Sequence, residues 1–175
     1  RFETVTPLEF LKRCRHLFDQ TYAEAAILGQ GFDLSEEAYA LYEEHTPSFA
    51  IIAYDGDDVV GYVSVFMNIH QHTKVPMATN DVIYVLPKLR GGVLAGKLFF
   101  RAEREARSRG AKAFQWIVPV RSPLYKALLA RTPVEERPWC QVAFLRTSMT
   151  ERKPTDADLA RRHLKKRRIN GTKES

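Results

Sequence analysis

The chain has few of the features that would place it in a membrane, in an oxidising compartment or around a metal ion. Its 175 residues include two cysteines, Cys14 and Cys140, which are too few for a disulfide framework and lack metal-ligand spacing. No apolar run approaches the roughly 20 residues that cross a bilayer, and the first residues do not resemble a signal peptide. We therefore expect a cytoplasmic protein with no metal and no membrane contact.

Two widespread phosphate-binding motifs are also absent. The chain has no Gly-x-Gly-x-x-Gly run with an acidic residue about 20 positions later, and no Gly-Lys-Ser or Gly-Lys-Thr loop. Its composition, with 45% hydrophobic and 11% aromatic residues, is typical of a globular domain and not of a disordered chain. The length allows one domain with a core, or one domain and a tail.

The net charge of +6 is concentrated at the C-terminal end, where residues 151–175 contain nine basic and four acidic side chains. We predict a domain over residues 1–150 and a basic tail over residues 151–175 that is helical or disordered. Residues 152–168 are candidates for contact with nucleic acid or an acidic protein, because clustered cations attract phosphates. The alternative is a tail helix that docks through Leu159 and Leu164 onto the domain or onto a second subunit of a homodimer.

The most informative segment is a strand, a basic glycine-rich turn and a helix. Residues 81–86 are a β-branched and aromatic run that ends at Pro87. The turn at residues 88–92 (KLRGG) combines two cations with two residues that lack Cβ, so a ligand can approach its amides. A helix begins at Leu94 and ends at Gly110, and the unpaired amides of its first turn suit a phosphate.

The block YVLPKLRGGVLAGKLFFRAEREARSRGA resembles the acetyl-CoA-binding motif of the GNAT superfamily of N-acyltransferases. In that motif, an Arg/Gln-x-x-Gly-x-Gly/Ala turn follows a Val-x-Pro strand end and precedes an amphipathic helix. Arg90 takes the first position and Ala95 the last, whereas Val93 stands where the family has its middle glycine. Gly91 and Gly92 supply flexibility one or two residues earlier. The Arg-Gly-Gly variant of the motif at residues 90–92 resembles that of GNAT proteins from bacteriophage genomes.

The order of the other predicted elements matches this family over residues 2–149. The resemblance implies an α/β GNAT fold, in which a mixed, mostly antiparallel sheet splays between its fourth and fifth strands and carries helices on both faces. Predicted strands lie at residues 2–5, 48–54, 59–68, 81–86, 113–118 and 141–149. Predicted helices begin after Thr6, Ser35, Val93 and Ser122 and end before Gly29, near Glu44, at Gly110 and at Arg131. The apolar side of the first helix includes Leu8, Leu11, Phe18 and Tyr22.

The resemblance also implies where acetyl-CoA binds. The strand before the turn offers backbone groups to the pantetheine arm, and the turn with the helix start surrounds the pyrophosphate. The strand residues are Tyr84, Val85 and Leu86, and the pyrophosphate residues are Arg90, Gly91, Gly92, Val93, Ala95, Gly96 and Lys97.

Acetyl transfer to an amine requires a base and a donor for the developing oxyanion. Asp81 is the best candidate base, and period-two alternation places its side chain on the same face as Ile83 and Val85. An exposed carboxylate without a catalytic role explains Asp81 equally well. His70 and His72 are alternative bases, because imidazole titrates near neutral pH, and surface polarity is the other explanation for this pair. The amide of Val85 or Leu86 is the candidate oxyanion donor.

The general acid of the family is a tyrosine late in the helix after the fifth strand. Counted by the family frame, its position is Leu129, and Pro133-Val134 replaces the Gly-Phe pair that follows it. Tyr125 lies one helical turn earlier and is the candidate acid, although a packed amphipathic tyrosine is an equal explanation. Tyr84 is a weaker substitute.

These observations predict an acetyl-CoA-dependent N-acetyltransferase that acts on a primary amine of a protein or small molecule. The alternative is an interaction protein on the same scaffold, weakly or not catalytic, that binds a host protein or nucleic acid through its basic surface.

Overall fold

The computed structural model describes residues 1–25, 33–119, 124–125 and 140–145. These residues form a six-stranded sheet with the strands in chain order. The strands are β1 (Phe2–Val5), β2 (Phe49–Asp55), β3 (Asp58–Ile69), β4 (Pro76–Val85), β5 (Ala113–Pro119) and β6 (Cys140–Leu145). The helices are α1 (Pro7–Cys14), α2 (Phe18–Ala25), α3 (Glu36–His45) and α4 (Leu94–Ser108).

The sheet is mixed, as predicted. β1 to β4 pair in antiparallel fashion, whereas β4 with β5 and β5 with β6 are parallel. Parallel neighbours need a long crossover, and α4 supplies it between β4 and β5. Gly56, at the turn between β2 and β3, takes a φ of +58°, a conformation that glycine adopts without steric cost.

Local sequence signals explain where the helices begin and end. The Thr6 hydroxyl accepts a hydrogen bond from the Glu9 amide at 3.3 Å, and Pro7 stands in the first turn of α1. Ser35 caps α3 in the same way, because its hydroxyl accepts from the Ala38 amide at 3.3 Å. Gly110 follows α4 with a φ of +96°. These three predicted boundaries are confirmed.

Three predictions about the elements were wrong in detail. The fourth strand begins at Pro76 and not at Asp81, because residues 76–80 pair with β3 and extend a segment of weak strand propensity. The first predicted helix is divided into α1 and α2 by a 3-10 turn, Arg15–Leu17. Leu8 is 41% exposed, and Phe10 and Cys14 fill the core in its place.

Both faces of the sheet are covered, and the alternation of β2 shows how. Ala50 and Ile52 point to one face, where they pack with Phe10 of α1. Ile51 points to the other face, where it packs with Leu98 of α4. Strands with helices on both faces are buried on both sides, so β2 reads as a nearly continuous apolar run.

Several predicted features lie outside the described residues. These are the glycine break at residues 29–31, most of the helix at residues 122–131, the end of the strand at residues 146–149 and the basic tail at residues 151–175. In the part of the chain that is described, no helix has the length and apolar character needed to span a bilayer.

Candidate active site

The sheet opens between β4 and β5. The two strands pair only between residues 77–79 and residues 113–115, although β4 continues to Val85 and β5 to Pro119. At the point of separation, the Asn80 side chain replaces the ladder. Its Nδ2 donates to the Ile117 carbonyl at 3.0 Å, and its Oδ1 accepts from the Ile117 amide at 2.6 Å. Specific hydrogen bonds therefore stabilise the opening of the sheet, which is the predicted splay between the fourth and fifth strands.

A β-bulge lies beside this opening. Ser64 of β3 pairs with Val82, and the next residue, Val65, pairs with Asn80, so that Asp81 has no partner across the ladder. A bulge leaves its extra residue unpaired and redirects the side chain. The sequence pattern placed Asp81 on the face of Ile83, and this was wrong because the bulge interrupts period-two alternation. Asp81 points to the opposite face, where it meets α3.

Asp81 is held there by Tyr39 of α3, whose hydroxyl donates to Oδ2 of the carboxylate. More than a third of the Asp81 surface is accessible to solvent. The protein atoms packed around the carboxyl group nevertheless raise its pKa, and the Tyr39 hydrogen bond offsets part of that rise. A carboxyl group whose pKa is raised is a better proton acceptor than an ordinary aspartate.

The end of β4 distinguishes the two candidate oxyanion donors. The Leu86 amide donates to the Val60 carbonyl at 3.0 Å and is therefore occupied by β3. Backbone groups of alternate strand residues point to opposite sides, so the amide and carbonyl of Val85 point away from β3 and into the opening. Arg90 Nε donates to that Val85 carbonyl at 2.8 Å, as this orientation requires. Val85 remains a candidate donor, and Leu86 does not.

The turn between β4 and α4 presents amides to solvent. Gly91 has a φ of +80°, and a Cβ added there would meet nothing within 4 Å. Val93 is the N-cap residue of α4 and supplies no capping side chain. The first hydrogen bond of the helix runs from the Lys97 amide to the Val93 carbonyl, at 3.0 Å. The amides of residues 94–96 therefore have no partner within the helix. Such a turn fits a phosphate or pyrophosphate.

Arg90 points away from this helix start. Its guanidinium binds the Glu24 carboxylate of α2 at 2.7 Å and lies 5.4 Å from the centre of the Tyr84 ring. Arg90 thus ties the turn to α2, while exposed Lys97 is the cation within the first turn of α4.

Tyr84 is 4% exposed, and its hydroxyl has no hydrogen-bond partner among the described residues. Burial raises the pKa of Tyr84, so this hydroxyl keeps its proton.

The other candidate catalytic residues lie apart from Asp81. His70 and His72 occupy the loop between β3 and β4, with their rings 5.8 Å apart and His70 Nδ1 at 2.9 Å from the Thr73 hydroxyl. Five strand residues, or roughly 17 Å, separate the start of β4 from Asp81.

Tyr125 is half-buried against the core on the α4 face. Leu129 and residues 133–134 lie outside the described part of the chain. Among the described residues, no group of three metal-ligating side chains occurs.

Sequence reasoning missed the partners of these residues. Tyr39, Asn80 and Glu24 were assigned no role, yet they hold Asp81, the strand separation and Arg90. The available signal was the polar pair Asn80-Asp81, which stands between a segment of weak strand propensity and the β-branched and aromatic run at residues 82–85.

Charge is distributed unevenly around this site. The two helices on the Asp81 side, α2 and α3, contain no lysine or arginine, and in fact none occurs between Arg15 and Lys74. The acidic residues of those helices are Asp19, Glu24, Glu36, Glu37, Glu43 and Glu44. In contrast, α4 carries Lys97, Arg101, Arg104 and Arg107. The helices α2 and α3 are therefore acidic, although Lys12, Arg13 and Arg15 lie on the same face of the sheet, and α4 has a net positive charge because its four cations outnumber Glu103 and Glu105.

Comparison with known proteins agrees with this geometry. The model of the acetyltransferase (GNAT) family matches residues 11–128. No curated protein matches the chain significantly. A solved putative acetyl transferase from Pyrococcus furiosus is 21% identical, with a TM-score of 0.55 over 75% of this chain and 91% of that one.

Two further solved structures are similar. A ribosomal-protein-alanine N-acetyltransferase from Brucella melitensis biovar Abortus 2308 is 19% identical, with a TM-score of 0.53 over 74% of this chain and 87% of that one. An aminoglycoside N-acetyltransferase solved with CoA is 14% identical, with a TM-score of 0.54 over 74% of this chain and 88% of that one. Such likeness confirms the predicted GNAT fold. The similarity to bacteriophage members stays a prediction.

The role of Asn80 in the strand separation is testable. Asn80→Ala leaves the part-buried amide and carbonyl of Ile117 without their side-chain partner, which we expect to lower the free energy of unfolding by about 1–3 kcal/mol. The matched control is Asn68→Ala, at an exposed position on β3, with an expected change within about 0.5 kcal/mol. Urea unfolding measures both, and equal losses in the two variants would contradict the bridging role.

Proposed function

Because the chain belongs to the GNAT acetyltransferase family, we propose that it transfers an acetyl group from acetyl-CoA to a primary amine of an acceptor. The observation that carries the proposal is the opening between β4 and β5, which runs from the bulge at Asp81 to the uncapped start of α4. An extended molecule can add to a free strand edge through main-chain hydrogen bonds, and a helix start receives its phosphates. The opening therefore suits CoA in shape and in chemistry.

The cosubstrate would be held by backbone groups at two places. When bound, acetyl-CoA supplies an activated acyl thioester. The Val85 amide, which faces the opening, is the donor we propose for the acyl oxygen. The amides of residues 94–96, with Gly91, Gly92 and the Lys97 ammonium, would hold the pyrophosphate. Arg90 must leave Glu24 to join them, so its contribution is the least direct.

Asp81 is the proposed base. Its carboxylate would accept a proton from the ammonium form of the acceptor, so that the neutral amine can attack. The carboxylate form is required, and the raised pKa of Asp81 means that this form is populated at higher pH than in an ordinary aspartate. Activity should therefore rise with pH through that pKa. His70 and His72 lie at the far end of β4, which favours Asp81.

Two tyrosines are candidates for the proton of the leaving group. Tyr84 is protonated, buried and beneath Arg90, and its hydroxyl has no partner in the described part of the chain. Tyr125 is the residue that the family pattern favours, and it packs on the opposite face of the sheet from Tyr84. We propose Tyr125 first and Tyr84 second, since the helix of Tyr125 follows β5 as in the family.

A cationic acceptor fits the charges on the Asp81 side. The helices α2 and α3 carry carboxylates and contribute no lysine or arginine, and on α1, which shares this face, Arg13 is paired with Glu9. A field of one sign raises the local concentration of ligands of the opposite sign. Two similar structures are described as aminoglycoside and ribosomal-protein acetyltransferases, whose acceptors carry amines. We propose a cationic amine, and the alternative of a non-catalytic interaction protein receives no support from the comparisons. A role for the basic tail stays a prediction.

CoA binding at the turn is tested by one added charge. Gly92 has room for a side chain, since an added Cβ would come no closer than 3.6 Å to the Leu89 carbonyl. Gly92→Asp places a carboxylate beside the amides and should weaken CoA binding about tenfold or more by repelling the pyrophosphate. Gly92→Asn has the same shape without the charge and is the control. Calorimetry with CoA decides: equal affinities in the two variants would place the pyrophosphate elsewhere.

The role of Asp81 is tested with cationic amines as acceptors, namely spermidine, an aminoglycoside and a lysine-containing peptide. Asp81→Asn should reduce kcat by about 10²-fold or more, because an amide cannot accept the proton, while CoA affinity stays unchanged. Asp58→Asn, an exposed position at the β2–β3 turn, is the control. If Asp81→Asn keeps the rate and the pH profile of the unmodified protein, the base is His70, His72 or water.

A further inference from the structure

The carboxylate of Asp81 has two oxygens in different surroundings. Oδ2 accepts the hydrogen bond of Tyr39, and among the described residues no other group donates to Asp81. The residue is the unpaired member of a bulge, and more than a third of its surface is open. An aspartate in such a place has rotational freedom unless another group restrains it. Tyr39 is the group that does so.

Tyr39 is itself restrained by aromatic packing. Its ring lies edge-on to Phe66 of β3, with centroids 5.4 Å apart, and Phe66 stacks on Tyr42 at 3.9 Å. The Tyr39 ring also packs near Phe10 of α1, at 6.4 Å. A hydroxyl carried on a ring that packs against other rings on two sides is a preorganised donor. The arrangement joins α3 to the bulge at the point where the proposed base sits.

We infer that Tyr39 is the positioning residue for Asp81: it holds Oδ2 and leaves Oδ1 to receive the proton of a cationic amine acceptor. The inference rests on the proposed function for its catalytic meaning, but the pairing itself can be measured without an acceptor. Tyr39 does not touch the reacting atoms in this arrangement. It acts through the orientation and the protonation state of Asp81.

The electrostatic consequence has a definite sign. Within the described part of the chain, the titratable groups that face Asp81 are Tyr39 on α3 and Tyr62 on β3, and the Tyr62 hydroxyl is paired with Thr21 at 2.6 Å. Burial raises the pKa of Asp81, and the Tyr39 hydrogen bond lowers it. Removing the Tyr39 hydroxyl keeps the effect of burial, which raises the pKa of Asp81, and abolishes the hydrogen bond, which lowers it. The pKa of Asp81 must then rise further, and the pH at which activity appears must rise with it.

The experiment is a carboxyl NMR titration of Asp81 in protein labelled with ¹³C. In Tyr39→Phe, which keeps the ring, we expect the pKa of Asp81 to rise by about half to one pH unit. Tyr42→Phe removes a hydroxyl from the same aromatic cluster without touching Asp81 and should leave that pKa unchanged. An unchanged pKa in Tyr39→Phe, or the same rise in both variants, overturns the inference.

A measurement on the unmodified protein covers the case in which Tyr39→Phe does not fold. The Cζ signal of Tyr39 should titrate with the midpoint of Asp81, because its hydroxyl donates to that carboxylate, while the Cζ signal of Tyr42 stays flat. A flat Tyr39 signal contradicts the pairing. Where acetyl transfer is detected, the acid limb of kcat/KM in Tyr39→Phe should move to higher pH by the same interval as the Asp81 pKa. Absence of transfer by the unmodified protein would count against the proposed function and leave the NMR result standing.

Discussion

The separation of β4 from β5 is the constraint on which the site depends. Two parallel strands that pair at one end and part at the other leave a row of main-chain groups without ladder partners, and such groups are costly when buried. Where the strands begin to separate, the Asn80 side chain takes the place of a strand partner, because it hydrogen-bonds both the amide and the carbonyl of Ile117. Beyond that step, the Val85 groups point into the opening, where Arg90 already uses the carbonyl.

Because of the bulge at Asp81, the same part of β4 contributes backbone groups to the opening and a side chain to the surface beside α3. The backbone after the bulge faces the opening, and the displaced side chain faces α3 on the other side of the strand. A regular strand would have placed Asp81 on the α4 face with Ile83, among apolar side chains. The extra residue instead brings the carboxylate to Tyr39 of α3, a helix that contains four glutamates and no lysine or arginine. The separation, the bulge and the charge distribution therefore describe one site, in which a cosubstrate and a cationic acceptor would meet at β4.

Much of the fold was predictable from local sequence signals. The caps at Thr6 and Ser35, the turn at Gly56 and the apolar stripe of α4 each follow from the chemistry of one or a few neighbouring residues. The glycine-rich turn was recognisable for the same reason. What failed depended on contacts between distant segments: the early start of β4 requires its partner strands, and the orientation of Asp81 requires a register shift against β3. The side chain of Arg90 is directed by Glu24, which is 66 residues away in the chain.

The claim that the opening between β4 and β5 receives the cosubstrate is tested most directly by titrating CoA into ¹⁵N-labelled protein and following the backbone amides. We expect saturable shifts that are largest at residues 91–96 and at Val85, with small changes in β1 and α1. The Leu86 amide, which is bonded to Val60, should shift less than that of Val85. Shifts that fail to saturate, or that concentrate on β1 and α1 while residues 91–96 stay unchanged, would contradict it.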